Sequence, residues 1–281
     1  MRIDARGLTF EVRSGGPAED EPAEGEPVLL LHGFPQHGGE FDDVLPALHA
    51  AGLRTYAPDQ RGYSPDARPP EVADYRITEC VADALALLDA LDAPRVHLVG
   101  HDWGALVAWH LAAGHADRVR TLTAVSVPHP AAMAYALGVD PEQRDRSAYI
   151  GLFRQPGKAE DVLLADEASA LRALLTGVGD VDRVDRYAAP MREPGALTAA
   201  LNWYRAMSPT DLAEVAPARV PTTFVWSDQD PAVGRTAAEA CAAQVTGEYR
   251  LVELTGVSHW IPDEAPAALA EAILTRVGTA R

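Results

Sequence analysis

The sequence predicts an α/β protein: a mostly parallel, doubly wound sheet interrupted once, after its sixth strand, by a helical cap. Three observations predict it. A short continuous apolar run at 28–31 has the composition of a strand buried on both faces, and 96–99 reads as the next buried strand. Such runs alternate with stretches whose apolar residues recur at helical spacing. From about residue 128 to 217 the alternation lapses, and it resumes at Thr222.

Residues 8–12 alternate weakly, as an edge strand does, and 14–27, dense in Gly, Pro, Asp and Glu, read as a solvated connector. The buried strand 28–31 ends in His32-Gly33, where a catalytic loop would begin. A helix is expected over 41–48, a short strand over 55–57 and a long amphipathic helix over 78–91. Strand 96–99, helix 105–113 and strand 122–127 follow. The segment 130–217 is rich in Ala, Leu, Arg and Asp at helical spacing and broken by Pro141, Pro156, Pro190, Pro194 and Pro209, so it is expected to form a cap domain. The core domain would then be 1–129 with 218–281. Strand 222–226, a helix at 237–243, strand 249–254 and a terminal helix at 264–277 complete the order. No internal repeat is evident.

The 281 residues suit one core with an insertion rather than two independent cores. Asp and Glu number 41 against 24 Lys and Arg, a formal charge of -17 that repels phosphate backbones and anionic lipid surfaces, so neither nucleic acid nor membrane is an expected partner. No apolar run approaches the ~20 residues that cross a bilayer. The first residues have no signal-peptide pattern, and the two cysteines, Cys80 and Cys241, fall in helical stretches where core packing explains them, so a cytoplasmic setting is expected. A homodimer is left open.

Val99-Gly100-His101-Asp102-Trp103-Gly104 lies between a buried strand and a helix, and has the pattern of a nucleophile elbow with Asp102 where Ser usually stands. Only small residues fit two positions before and two after such a strained nucleophile, here Gly100 and Gly104. The helix N-terminus would keep the Asp102 carboxylate ionised, as a carboxylate nucleophile requires. A tight loop whose Asp merely caps the helix would look the same in isolation. The partners argue otherwise, because they follow in the chain order nucleophile, acid, histidine. His259, after the last strand, is the expected general base. Ser227-Asp228-Gln229-Asp230-Pro231, after strand 222–226, offers two carboxylates to orient it; Asp230 is favoured on reach, and Asp228 suits a turn. Oxyanion donors are expected at the backbone N–H groups of Trp103 and of Phe34, in His32-Gly33-Phe34-Pro35. The side chains of both would wall the substrate site, and a cis Phe34-Pro35 bond fits such a turn.

With these motifs, with Asp59-Gln60-Arg61-Gly62-Tyr63-Ser64, with Val127-Pro128-His129-Pro130 and with His259-Trp260-Ile261-Pro262, the chain resembles the epoxide hydrolase group of the α/β-hydrolase superfamily, from His32 to Pro262. Arg61 is read as tying loops together and His129 as shaping the cap junction. The resemblance implies two cap tyrosines that bond the epoxide oxygen. Tyr149, ahead of Phe153-Arg154-Gln155-Pro156-Gly157, and Tyr204, in Leu201-Asn202-Trp203-Tyr204-Arg205, match them, with Tyr187 a poorer fit. The reaction implied is ring opening by Asp102 to a hydroxyalkyl ester, then hydrolysis by water that His259 activates, giving a vicinal diol. A carboxylate suits displacement at saturated carbon because no base need deprotonate it first, and phenols can donate to the departing alkoxide. The small-molecule partner is an epoxide. No metal or organic cofactor is implied, since the histidines lack paired ligand spacing and no dinucleotide fingerprint follows the first strand. A haloalkane or fluoroacetate dehalogenase using the same Asp is the alternative, with Trp103 as a halide donor. Phe34 stands where many haloalkane dehalogenases carry Asn, and Trp103 where fluoroacetate dehalogenases more often carry Arg. A ligand-binding protein that keeps the fold without turnover is a third reading.

Overall fold

A computed structural model describes residues 1–17 and 25–279. Its single sheet runs in the order β1-β2-β4-β3-β5-β6-β7-β8: β1 Arg2–Ala5, β2 Leu8–Gly15, β3 Pro27–Leu31, β4 Arg54–Pro58, β5 Val96–His101, β6 Val119–Val125, β7 Thr222–Ser227 and β8 Tyr249–Leu254. β1 and β2 are antiparallel to their neighbours, and every other pair is parallel. Side chains alternate across the sheet. In β3, Val28 and Leu30 pack toward α1 (Leu45–Ala50) and the C-terminal helix, while Leu29 and Leu31 pack toward α2 (Ile77–Ala90) and α3 (Trp103–Gly114). Two apolar layers on one sheet are what a doubly wound fold requires.

The helices that follow between β6 and β7 form the insertion: α4 Pro130–Val139, α5 Pro141–Arg146, α6 Ile150–Phe153, α7 Lys158–Leu174, α8 Val181–Ala188, α9 Ala196–Ala206 and α10 Thr210–Ala213. After β7 come α11 Arg235–Ala240, α12 Ile261–Glu264 and α13 Pro266–Gly278. The α/β-hydrolase architecture with its helical cap after the sixth strand is therefore present.

Several elements differ from the sequence pattern. Strand β1 was not expected; only Ile3 and Ala5 face inward, too few apolar residues to register as a period, and a turn with positive φ at Arg6 and Gly7 folds it onto β2. With it the strands ahead of the cap number six, where the segments named from the sequence number five. The helix expected at 41–48 is a 3-10 turn, Gly38–Phe41, and the separate α1, which has Pro46 in its first turn. The terminal helix likewise begins afresh at Pro266 after the short α12. The helix at 237–243 is α11 followed by a 3-10 turn over Cys241–Gln244. The connector 14–27 is shorter than expected, because β2 continues to Gly15, and residues 18–24 of it lie outside the described residues. Cys80 and Cys241 are both free and buried. Among the described residues no helix is long and apolar enough to cross a membrane.

Candidate active site

The loops leaving the C-terminal ends of β3, β5, β7 and β8 meet beneath the cap, the edge at which parallel sheets bind ligands. At the end of β5 the chain turns sharply into α3. Asp102 takes φ 51° and ψ -117°, a conformation that L-residues adopt only under constraint. A side chain on Gly104 would collide with the Leu31 carbonyl, and one on Gly100 with the Gly104 carbonyl. The glycines are thus a steric condition of the turn.

The Asp102 side chain makes no cap bond to α3. One oxygen, Oδ1, accepts the Phe34 N–H at 2.7 Å, and Oδ2 lies 3.5 Å from His259 Nε2. The Trp103 N–H, first of the free amides of α3, donates to nothing among the described residues. Phe34-Pro35 is cis, as its turn suggested.

His259 Nδ1 donates to Asp230 Oδ2 at 2.8 Å, and the other Asp230 oxygen accepts the N–H groups of Ala232 at 2.7 Å and Val233 at 3.0 Å. Asp228 instead accepts the Gly256 N–H and braces a turn. Burial opposes charge on His259, but the flanking Asp230 and Asp102 raise its pKa to about 10. Burial likewise disfavours the Asp102 carboxylate, yet His259, His101 and the Phe34 N–H outweigh it and hold that group below its ordinary range. The resting pair is a carboxylate beside an imidazolium.

Tyr204, on α9, and Tyr149, just before α6, both reach the cavity above Asp102. Tyr149 is 36 % exposed, and the surface it exposes faces this cavity. Burial, then the nearby Asp102 charge, keeps the Tyr149 hydroxyl well above the ordinary tyrosine range; burial, Tyr149 and Asp102 do the same for Tyr204. Both stay protonated, as proton donors must. Tyr187 lines neither chamber and donates its hydroxyl to Asp263 at 2.9 Å. The cavity has two chambers, of about 560 Å³ and about 170 Å³, with Asp102, Tyr149, Tyr204, Ala232 and His259 lining both. The larger is walled by Leu106, Met133, Leu137, Ile150 and Met207, the smaller by Phe34, Phe153, Leu174 and Trp260. The Trp103 ring meets Tyr204 edge to face at 4.9 Å, and its buried indole N–H has the Tyr204 hydroxyl as a neighbour without a well-aligned hydrogen bond to it.

Residues that sequence reasoning passed over support this centre. The His259 carbonyl accepts from Ser126 Oγ at 2.8 Å and from His101 Nε2 at 3.0 Å, and the other ring nitrogen of His101 bonds Glu40 at 3.2 Å. Burial pushes Glu40 up to about 7, while its charge raises the fully buried His101. From the cap, Gln143 clamps the acid loop by bonding the Ala232 carbonyl and the Gly234 N–H, each at 2.8 Å. Nothing in the spacing of Glu40, Ser126 or Gln143 marks them, and only His101, inside the elbow motif, carried a local signal. Arg61 forms a two-pronged, buried pair with Asp83 at 2.6 and 2.7 Å and its carbonyl accepts the Trp203 indole at 2.8 Å, so it ties its loop to helices α2 and α9 rather than to another loop. Among the described residues no cluster of three His, Cys, Asp or Glu is arranged to hold a metal ion.

The fold and this arrangement define an α/β hydrolase. A sequence model of the alpha/beta hydrolase fold matches residues 26–266. Epoxide hydrolase A of Mycobacterium tuberculosis is 34% identical over 97% of this chain and 95% of its own length, and the AB hydrolase superfamily protein YfhM of Bacillus subtilis is 33% identical over the same shares. Among solved structures, epoxide hydrolase A from Mycobacterium thermoresistibile superposes with a TM-score of 0.86 at 28% identity, covering 99% of this chain and 97% of that one. The chain belongs to the α/β-hydrolase superfamily and, within it, to the epoxide hydrolase group.

Proposed function

We propose that the protein opens epoxides to vicinal diols through a covalent ester on Asp102. Asp102 Oδ2 attacks a ring carbon and the carbon–oxygen bond breaks. The alkoxide takes a proton through the hydroxyls of Tyr149 and Tyr204, and the His259 imidazolium gives up the compensating proton. Neutral His259, oriented by Asp230, then deprotonates a water that attacks the ester carbon. The tetrahedral oxyanion forms on the oxygen that faces the Phe34 and Trp103 N–H groups, each worth about 3 kcal/mol to such a transition state. Its collapse breaks the ester carbon–oxygen bond, the departing alkoxide takes the proton of the new Asp102 carboxylic acid, and the carboxylate and the imidazolium are restored, so one epoxide and one water yield one diol. The observation that carries this reading is the Asp102 carboxylate 3.5 Å from His259 Nε2 at the junction of two chambers that both tyrosines also line.

The unequal apolar chambers support substrates with two apolar arms of different size flanking the epoxide carbons. Residues 1–129 with 218–281 are taken as core and 130–217 as cap, a division supported by the His129 ring bonding the Ala216 carbonyl at 3.1 Å, where the two ends of the insertion meet. A net charge of -17 supports a small-molecule partner and not nucleic acid, and two buried free thiols support a cytoplasmic setting. Dehalogenation is the second reading, favoured by the buried Trp103 side chain, an indole N–H donor that lines the larger chamber beside Asp102. A panel of styrene oxide, aliphatic epoxides, fatty-acid epoxides and short haloalkanes, scored for diol against halide release, separates the two. Diol formation that disappears when Tyr149 and Tyr204 are both changed to Phe is the expected result. Halide release without diol would replace the epoxide reading, and full activity in the double variant would remove the tyrosines from it.

A further inference from the structure

Asp263 lines neither chamber and belongs to no part of the triad, yet its carboxylate joins three segments of the chain. It sits on α12, four residues past His259. Oδ2 accepts from Gln36 Nε2 at 2.5 Å, while Oδ1 accepts from the Tyr187 hydroxyl at 2.9 Å and from Arg183 at 3.4 Å. Arg183 also bonds the Asp263 carbonyl at 3.4 Å and Asp43 at 2.6 Å. Gln36 stands two residues beyond Phe34 in the oxyanion loop, and Tyr187 and Arg183 stand on cap helix α8. The Tyr187 ring further meets His37 edge to face at 5.2 Å. Gln36 and Tyr187 are fully buried and the Asp263 side chain is 2 % exposed, so breaking this junction leaves polar groups unsatisfied away from water.

We propose that Asp263 is a positioning residue for ester hydrolysis, fixing the oxyanion loop, and with it the Phe34 N–H, against the cap. The inference rests on the ester route proposed above. Its consequence differs between the two chemical steps. Ring opening removes charge from Asp102, so the Phe34 N–H stabilises the reactant of that step more than its transition state. Hydrolysis puts negative charge back on the same oxygen, where the N–H stabilises the transition state. Misplacing it slows hydrolysis and spares ring opening.

The test uses the best substrate of the epoxide panel, steady-state kinetics and the intact mass of acid-quenched enzyme. Asp263→Ala is expected to lower kcat and KM together, by about tenfold to a hundredfold, with kcat/KM preserved and the hydroxyalkyl adduct becoming the main enzyme species. Asp263→Asn should stay close to wild type, because its amide still accepts from Tyr187 and Arg183, and Gln36 can turn its unbonded Oε1 toward the new N–H. A fall in kcat with KM unchanged and no adduct, the signature of lost folded enzyme, overturns the proposal, as does a fall in kcat/KM. If thermal melts show Asp263→Ala unfolded, Tyr187→Phe, which removes a single donor, must show the same paired fall on a smaller scale. His259→Gln is the control. Adduct in that variant and none in the Asp263 and Tyr187 variants sinks this inference alone, whereas no adduct in any variant together with no oxygen-18 in the wild-type Asp102 peptide after a single turnover in labelled water sinks the ester route beneath it.

Discussion

His259 is held between two carboxylates, and only one of them survives ring opening as an anion. In the free enzyme Asp230 and Asp102 together raise its pKa to about 10 against the opposing effect of burial. Esterification neutralises Asp102, so the imidazole loses a charged partner and its proton affinity falls when a base is needed. The sign of the pH dependence follows for each step. Free-enzyme kcat/KM requires Asp102 ionised, with a pKa below its ordinary 3.8, the tyrosines protonated, with pKa values well above 10, and His259 protonated, with a pKa of about 10. It should be flat between about pH 5 and 9. A kcat limited by hydrolysis should instead rise with pH along a limb whose pKa lies below about 10, the His259 of the ester form. Stopped-flow alkylation and steady-state turnover measure the two separately. A kcat/KM that rises through neutrality along with kcat would mean that a base acts in ring opening.

The elbow between β5 and α3 shows what a local motif can reveal. Its geometry depends on atoms within a few residues and on one neighbouring strand end, so Gly100, Asp102 and Gly104 announce it in the sequence. Gly104→Ala should cost more than about 3 kcal/mol or prevent folding, because the new methyl group would meet the backbone carbonyl of Leu31 rather than a movable side chain. A denaturant midpoint within error of wild type would contradict that steric account. Other elements were less legible. Pro46 and Pro266 begin helices rather than continue them, and periodicity counted across a proline merges what the backbone separates. The polar supports of the site left almost no signal. Gln36 and Asp263 are 227 positions apart, Tyr187 and Asp263 are 76 apart, and a loop carboxylate has no period that would betray its burial. Tyr187 illustrates the limit: as an aromatic of the cap it resembles a substrate contact until its hydroxyl is found on Asp263.

For the whole molecule, the concentration of buried ionisable groups beneath the cap links activity to stability. His259, with a folded pKa near 10 against an ordinary 6.5, contributes stability that is full below pH 6.5 and lost as pH rises through about 10. Glu40 acts in the same sense at lower pH, since burial raises it from 4.5 to about 7 and its ionisation there leaves a buried carboxylate. The unfolding midpoint should therefore fall between pH 6.5 and 10, and His259→Gln should flatten most of that decline; an equal slope in the variant would remove His259 as the cause. All of the chemistry above depends on Asp102 becoming bonded to carbon in every turnover. A single turnover in oxygen-18 water with enzyme in excess, followed by mass spectrometry of the peptide containing Asp102 and of the diol, tests this directly. The ester route puts the label in the Asp102 carboxylate and leaves the first diol unlabelled. Labelled diol with an unlabelled peptide would show that water attacks the epoxide itself.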